Sequence, residues 1–237
     1  MNILVKPKSV FLNLAKFIIF LLIANVVGVI IKPYSGEYEA YGFIPMFNFD
    51  TEKNIPTIYS SLMLLVCSIL LWFITIQHKR HGQSYLLWAG LSIIFLFLAI
   101  DEISAIHEHL TAPVSSTLNT SGFLFHAWVI PYSILMIVFA IVYVRFLFKL
   151  PKGTMLLFMI AGTMFVLAAL GFELFEGYYD EKYGEGNHYS AVLYSIEELL
   201  EMFAVLTFCY ALMKYITAQF QALNITVHSL ATKEYKR

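Results

Sequence analysis

Charged residues are scarce in this chain of 237 residues, of which Asp, Glu, Lys and Arg together make up 13%. Soluble domains carry about 25% of these residues, so the composition argues against a water-soluble globular protein. Hydrophobic residues make up 59% of the sequence, and its mean hydropathy is +0.74. The low charge content therefore predicts a membrane protein.

Cysteines are few, and the motifs of several enzyme classes are missing. Cys67 and Cys209 both lie inside apolar stretches, which favours small buried side chains and gives no information on redox compartment. The sequence contains no G-x-S-x-G element, no P-loop and no Gly-rich dinucleotide fingerprint. A net charge of −1 and the lack of a basic face give no support to a nucleic-acid partner.

Long apolar stretches, by contrast, recur along the whole sequence, near the length of about 20 residues that crosses a bilayer. We predict an all-α, polytopic membrane helix bundle that forms one transmembrane domain over residues 1–237. The six predicted spans cover residues 9–31, 57–77, 85–106, 123–148, 154–177 and 190–216. The first is interpreted as an uncleaved anchor, because no A-x-A-like cleavage site follows it.

Lys and Arg are distributed unevenly among the loops between these spans. Twelve of the fifteen lie at the N-terminus, around the second and fourth loops or after the last span, and only Lys32, Lys53 and Lys182 lie on the other side. Because basic residues concentrate in cytoplasmic loops, both termini are predicted to be cytoplasmic. Fifteen of the sixteen acidic residues show the opposite bias, with Glu234 as the exception. The acids are therefore expected near the outer surface.

The third predicted span ends in a dense group of acids and histidines. Asp101 and Glu102 lie inside the span, and His107, Glu108 and His109 follow at its end. In an ideal helix Asp101, Glu102, Glu108 and His109 share an arc of about 120°. His107 points away from that arc unless the helix frays or bulges.

Three further spans carry acids or histidine at a similar depth. The pattern i, i+3, i+4, i+7 predicts one shared face on the fifth span and one on the sixth. The residues are Glu173, Glu176, Gly177 and Asp180 on the fifth span, Tyr194, Glu197, Glu198 and Glu201 on the sixth, and His126 in the first turn of the fourth. The acids are therefore predicted to meet in the outer part of the bilayer.

Ionised carboxylates at this depth are costly, by about 2.5–3.5 kcal/mol each on insertion scales. No Lys or Arg lies within the outer halves of these spans, which favours compensation by cations, either protons or metal ions. Carboxylates with a minority of imidazoles suit Fe or Mn, and Zn less well. The predicted site for a divalent metal comprises Asp101, Glu102, His107, Glu108, His126, Glu173, Glu176, Glu197, Glu198 and Glu201.

Three short motifs resemble elements of an uncharacterised group of bacterial multispanning membrane proteins. They are E-x-N-x-P-T at residues 52–57, D-E-x-x-x-x-H-E at residues 101–108 and E-E-x-x-E at residues 197–201. The resemblance implies a bacterial inner membrane. It also implies that Asp101-Glu102 and His107-Glu108, the two ends of the second motif, belong to one unit. It implies no reaction.

The leading functional hypothesis is a metal-dependent membrane enzyme that acts on a lipid or another hydrophobic substrate near the outer leaflet. A proton- or cation-coupled transporter and a non-catalytic membrane subunit or sensor are the alternatives. A transporter predicts a path to the inner side, and Pro131 is the only candidate kink in the spans. Glu52, just before the second span, is expected to stay outside the acidic cluster. His78 and His81 are expected to contact lipid headgroups.

Overall fold

A computed structural model describes residues 2–4, 6–34, 39–220 and 224–226 of the chain. Four C-terminal residues that enter the charge argument, Lys233, Glu234, Lys236 and Arg237, lie outside the described residues. The cytoplasmic placement of both termini therefore stays a prediction.

The described chain is helical apart from one antiparallel pair of short strands, β1 (Asn2–Leu4) and β2 (Asn224–Thr226), in which Ile3 lies opposite Ile225. The α-helices are α1 (Pro7–Ile31), α2 (Phe43–Phe47), α3 (Ile55–Arg80), α4 (Leu86–Ser104), α5 (Ile106–His109), α6 (Thr111–Leu118), α7 (Val129–Leu147), α8 (Lys152–Val166), α9 (Glu173–Tyr183) and α10 (His188–Phe220). Short 3-10 turns occupy Lys32–Tyr34 and Gly122–Leu124, and a π-helical segment, Leu167–Phe172, joins α8 to α9.

Six segments are long and apolar enough to cross a membrane, which confirms the number and order of the predicted helices. They are Pro7–Tyr34, Ile55–Arg80, Leu86–Ser104, Val129–Leu147, Lys152–Tyr183 and His188–Phe220. Each overlaps one predicted span, because a run of about 20 apolar residues is a strong local signal. The differences lie at the ends of the segments, where polar side chains determine the backbone.

The third predicted span ends earlier than its apolar pattern indicated. Helix α4 ends at Ser104, and Ala105 takes a left-handed conformation with φ 52° and ψ 39°. Two short helices, α5 and α6, then occupy the region predicted as a loop. The helix ends here because the Asp101 carboxylate accepts the backbone N–H of His107, which offers that N–H a partner outside the helical ladder.

The fourth predicted span begins later than residue 123. Helix α7 starts at Val129, after a 3-10 turn whose first residue, Gly122, has a φ of 62°. Pro131 consequently lies in the first turn of α7, where the missing N–H removes no ladder bond. The candidate kink is thus an ordinary helix start.

Helix α10 forms the centre of the bundle, and α1, α3, α8 and α9 pack around it. In its most apolar stretch 61% of residues are buried, against 11% for α7, which lies at the periphery. Helices α3 and α4 pair closely, with Ser68 Oγ donating to Ser92 O at 2.7 Å and Ser92 Oγ donating to Ser68 O at 2.9 Å. Small polar residues of this kind let helix backbones approach where both are surrounded by apolar groups.

Candidate functional site

The break at Ala105 places His107 beside the acid that precedes it in the sequence. Asp101 is buried, and its Oδ1 accepts the backbone N–H of His107 at 2.9 Å. Its Oδ2 lies 3.2 Å from His107 Nδ1 and accepts the Tyr132 hydroxyl at 3.0 Å. An ionised carboxylate only accepts, so Nδ1 is the donor, and in the neutral imidazole the lone pair lies on His107 Nε2.

This arrangement gives Asp101 contacts that orient His107. Both of its oxygens already have donors, so the residue holds His107 in one orientation and one tautomer. The sequence prediction counted both Asp101 and His107 among the metal-site residues, and it expected His107 to point away from the shared arc unless the helix frays or bulges. The helix does break here, because the left-handed Ala105 turns the chain back and brings His107 beside Asp101.

Glu52 joins His107 and Glu108, which contradicts the expectation that it stays outside the cluster. Ligand atoms of Glu52, His107 and Glu108 all lie within 4.8 Å of one another. We call these three residues the histidine group. Glu52 Oε2 is buried and has no hydrogen-bond partner among the described residues. The group therefore offers two carboxylates and one imidazole to a ligand.

The segment that carries Glu52 is fixed by the cap of helix α3. Asn54 Oδ1 accepts the backbone N–H of Thr57 at 3.1 Å, and Asn54 Nδ2 donates to Asn48 O at 2.6 Å. Pro56 fits the first turn, where no helical N–H is needed. These contacts give the E-x-N-x-P-T motif a physical role, since the cap determines where Glu52 lies.

Asn25 ties the same segment to the bundle, and sequence reasoning did not identify it. Its side chain is 1% exposed; Oδ1 accepts the backbone N–H of Phe49 at 3.0 Å and Nδ2 donates to Ser195 Oγ at 2.8 Å. The residue thus connects α1, the loop before α3, and α10. An amide inside an otherwise apolar span was the signal that could have identified it.

A second group consists of three glutamates from α9 and α10. Carboxylate oxygens of Glu173, Glu176 and Glu197 lie within 4.8 Å of one another. We call them the glutamate group. Glu176 and Glu197 are 6% and 8% exposed, and Glu176 Oε1 and Glu197 Oε2 have no hydrogen-bond partner among the described residues. Such oxygens are rare in folded proteins and indicate a missing cation or proton.

His126 lies next to this group, in the segment before α7, whereas the prediction had placed it in the first turn of the fourth span. Its Nδ1 is 2.8 Å from Glu173 Oε1, and its Nε2 is 3.5 Å from Asp180 Oδ2. Gly177 makes the approach fit, because a Cβ there would lie 3.2 Å from the backbone nitrogen of His126. The predicted shared face of Glu173, Gly177 and Asp180 is therefore present on α9.

The π-helical segment Leu167–Phe172 directly precedes Glu173 and escaped the sequence analysis. A π-turn inserts a residue into the helical repeat and rotates everything that follows. Such segments are frequent at functional sites. Here it sets the direction in which Glu173 and Glu176 project, while their mutual spacing on α9 stays regular.

Trp128 connects the two groups. Its Nε1 donates to Glu173 Oε1 at 2.9 Å, and its ring centroid lies 4.6 Å from that of His107. The indole therefore contacts a member of each group.

Three further predicted site residues, Glu102, Glu198 and Glu201, lie between the groups without belonging to either. All are partly buried. Glu102 lies within electrostatic range of Glu52 and Glu198, and Glu201 within range of Glu102 and Glu173. These three glutamates thus interact electrostatically with one another and with the acids of both groups. His109, whose Nδ1 contacts Ala105 O at 2.5 Å, lies outside both groups.

The charges of the site shift the titration of the groups outside the apolar segments. Burial raises the pKa of Glu52 to about 7, and the charge of Glu108 adds to the effect, while His107 opposes it. Burial by itself would lower the pKa of His107, but the hydrogen bond and charge of Asp101 outweigh it and raise that pKa. The pKa of His126 is raised in the same way, with Glu173 as the partner that outweighs burial.

The histidines are the basic side chains found in contact with these carboxylates, and they are cationic only when both ring nitrogens are protonated. The ion pairs within the described part of the site are His107 with Asp101 and His126 with Glu173 and Asp180. Neither histidine reaches the unpartnered oxygens of Glu176 and Glu197. These buried carboxylate oxygens therefore need a proton or a bound cation.

A family model described as "Domain of unknown function (DUF8692)" matches residues 14–215, and the chain belongs to this family. The matched region contains both groups and the motifs at residues 52–57, 101–108 and 197–201. No curated protein and no solved structure shows significant similarity to the chain.

Proposed function

We propose that this protein is an integral membrane protein that binds a divalent metal ion among the acids of its helix bundle. The metal serves an enzymatic reaction on a lipid or another hydrophobic substrate. The observation that carries the proposal is that Glu176 and Glu197 each have a buried oxygen without a partner among the described residues, and that these two carboxylates each place an oxygen within 4.8 Å of one of Glu173. Leaving such charges unpaired costs several kcal/mol, which a bound cation removes.

A membrane setting follows from the six apolar segments together with the exposure of their side chains. Large apolar residues of α7 such as Ile134, Ile137 and Ile141 are 58–71% exposed in the isolated chain. A surface of that kind needs a cover of lipid. The excess of basic residues in the loops away from the acids supports an orientation with the site at the outer, periplasmic side of a bacterial inner membrane.

The donor atoms favour Fe or Mn over Zn. Each group offers hard carboxylate oxygens, and only the histidine group adds an imidazole, which fits the preferences of Mn and Fe. Glu173, Glu176 and Glu197 would hold one ion, and Glu52, His107 and Glu108 have the donors for a second. Glu102, Glu198 and Glu201 add negative charge between them.

When bound, such a metal supplies Lewis-acid or redox chemistry. The residues of the chain orient the side chains that would bind it. Asp101 keeps His107 Nδ1 protonated, so that Nε2 is free to bind a ligand or to accept a proton. Glu173 is held by Trp128 Nε1, which fixes one oxygen of its carboxylate.

The rest of the core argues against a transport path. From Met202 to Ile216, the buried side chains of α10 facing the other helices are apolar, apart from Cys209 and the tyrosine at position 215. Among the described residues, a cation that left the glutamate group towards the other end of the bundle would meet no carboxylate along that stretch, and its first imidazole would be His78, at Tyr215. The closed arrangement favours a site that retains its ion.

Elemental analysis of protein purified without chelators tests the proposal. We expect about one or two equivalents of Fe or Mn per chain, and the Glu176→Gln, Glu197→Gln double variant should lose the equivalent held by the glutamate group, because the amides remove the charge that compensates the ion. The matched control is Glu185→Gln, an exposed loop carboxylate outside both groups. Wild-type protein without transition metal would refute the proposal.

A further inference from the structure

A surface groove is lined in part by the residues that directly follow Glu52 in the sequence. It has a volume of about 380 Å³, and its lining residues are Pro45, Met46, Lys53, Asn54, Ile55 and Ile58. The lining comes from α2 and from the first turn of α3, so the groove lies at the start of a segment apolar enough to cross a membrane. Met46 and Ile58 are about half exposed there.

The groove carries a single charged side chain. Lys53 is exposed, whereas the remaining lining is apolar except for Asn54, whose side chain is used in the helix cap. Lys53 is one of only three basic residues predicted on this side of the bundle. A cation above an apolar channel matches the build of a lipid, which has an anionic headgroup and acyl chains.

The backbone at Lys53 is unusual. Its φ is 63°, in the left-handed region that residues with a Cβ rarely occupy. The hydrogen bonds of Asn54 to Asn48 and Thr57 hold the chain in this turn. As a result Glu52 contributes to the histidine group while its neighbour Lys53 lines the groove. Unfavourable backbone conformations that are held in this way occur preferentially at functional sites.

We infer that this groove binds an anionic phospholipid of the surrounding bilayer, with its phosphate on Lys53 and an acyl chain along Met46, Ile55 and Ile58. Lysine binds phosphate as a point charge, and the apolar lining takes no part in headgroup recognition. Since Glu52 and Lys53 are adjacent, the lipid is held next to the histidine group. The inference rests on the proposed function and names its substrate class, a phospholipid.

A second groove provides an internal control. It also has a volume of about 380 Å³, but it is lined by residues of one helix face without a charged side chain. Its lining residues are Leu156, Met159, Ile160, Thr163, Met164 and Leu167. Lipid acyl chains would occupy it without regard to headgroup charge.

Photocrosslinking in nanodiscs tests the inference. The probe is phosphatidylglycerol with a photoactivatable acyl chain in a phosphatidylcholine bilayer, and labelled peptides are mapped by mass spectrometry. We expect labelling of residues 43–58 to fall about fivefold in Lys53→Gln, which corresponds to about 1 kcal/mol for one lysine near the membrane surface. Labelling of residues 156–167 stays unchanged, and Lys53→Arg keeps the label.

Lys182→Gln is the matched control, since Lys182 is exposed on the same side but packs over the rings of Tyr178 and Tyr183. The inference is overturned if Lys53→Gln labels as strongly as wild type, if a phosphatidylcholine probe labels residues 43–58 equally well, or if those residues crosslink to a second copy of the chain. Metal content of the same samples separates the two proposals. Wild type without metal, but with labelling that depends on Lys53, would refute the metal site and leave the lipid groove standing.

Discussion

The two ends of the helix bundle use histidine in different ways. At the start of α3, His107 and His126 contact carboxylates. At its other end, about 39 Å away for 26 residues at 1.5 Å each, His78 contacts aromatic rings. His78 Nε2 lies 2.8 Å from the Tyr215 hydroxyl, and its ring stacks on Trp88 with centroids 5.6 Å apart.

The aromatic end corrects the expectation that His78 contacts lipid headgroups. The side chain is packed against Trp88, Tyr215 and Phe220, and the last of these also lies against His81. No carboxylate is found in contact with His78 among the described residues. This end closes the bundle by apolar packing, which is a structural role.

The acidic end has no such closure. Buried carboxylate oxygens of Glu52, Glu176 and Glu197 have no hydrogen-bond partner there among the described residues, whereas the atom without a partner at the aromatic end is an imidazole nitrogen, His78 Nδ1. A protein that needed only stability would gain by replacing these acids with apolar residues. The contrast between the two ends is therefore the main physical argument for a function at the acidic end.

The largest effect is expected from Asp101→Asn. The amide keeps the size of the side chain but no longer selects the His107 tautomer with a free Nε2, because it can donate as well as accept. Loss of such a supporting carboxylate lowers metal affinity by about 10- to 100-fold. Equilibrium dialysis with Mn²⁺ measures the change. An affinity equal to that of wild type would show that His107 does not contribute to binding.

A smaller effect is expected from pH on the stability of the metal-free protein. Glu52, with its pKa raised to about 7, binds a proton more tightly when folded, and so do His107 and His126. The stability from these protons is present at low pH and is lost as pH rises through the folded pKa values. The midpoint temperature of thermal unfolding should therefore decrease as the pH is raised from 5 to 8.

Two variants assign that pH effect to one end of the bundle. Glu52→Gln should reduce the fall in midpoint, because the amide does not titrate. His78→Asn at the aromatic end should not reduce the fall, because no carboxylate contacts His78 among the described residues. A midpoint that rises over the same range in metal-free protein would contradict the charge assignment at the acidic end.

The smallest effect is expected from Tyr215→Phe. It removes the hydroxyl that contacts His78 Nε2 and leaves the metal site intact. A lost buried hydrogen bond costs about 1 kcal/mol, which shifts the midpoint of a protein of this size by about 2–4 °C. The midpoint of thermal unfolding should thus decrease, while the Mn²⁺ affinity measured by dialysis should stay the same. A loss of Mn²⁺ affinity in this variant would show that the two ends of the bundle are coupled, which would contradict the comparison.

Local patterns in the sequence were sufficient for the spans and for the acids on α9. Runs of apolar residues determine the six segments, and the spacing of Glu173, Gly177 and Asp180 survives because all three follow the π-helical segment. Their shared face could be predicted because it depends on helical geometry alone.

Contacts between distant parts of the chain decided what could not be predicted. His107 reaches Asp101 only because helix α4 ends at Ala105, and Glu52 enters the site because Asn25 holds the preceding loop against Ser195 of α10. Neither contact has a periodic signal. A residue interpreted from its own helix alone was therefore misplaced wherever a side chain from another element fixed the backbone.

Anomalous diffraction at the Mn absorption edge, from crystals grown with Mn²⁺, tests the central claim most directly. We predict an anomalous peak within coordination distance of Glu173, Glu176 and Glu197, which is lost in the Glu176→Gln, Glu197→Gln variant and kept in Glu185→Gln. A wild-type crystal with no peak at the glutamate group, at a Mn²⁺ concentration that saturates binding in solution, would contradict the account.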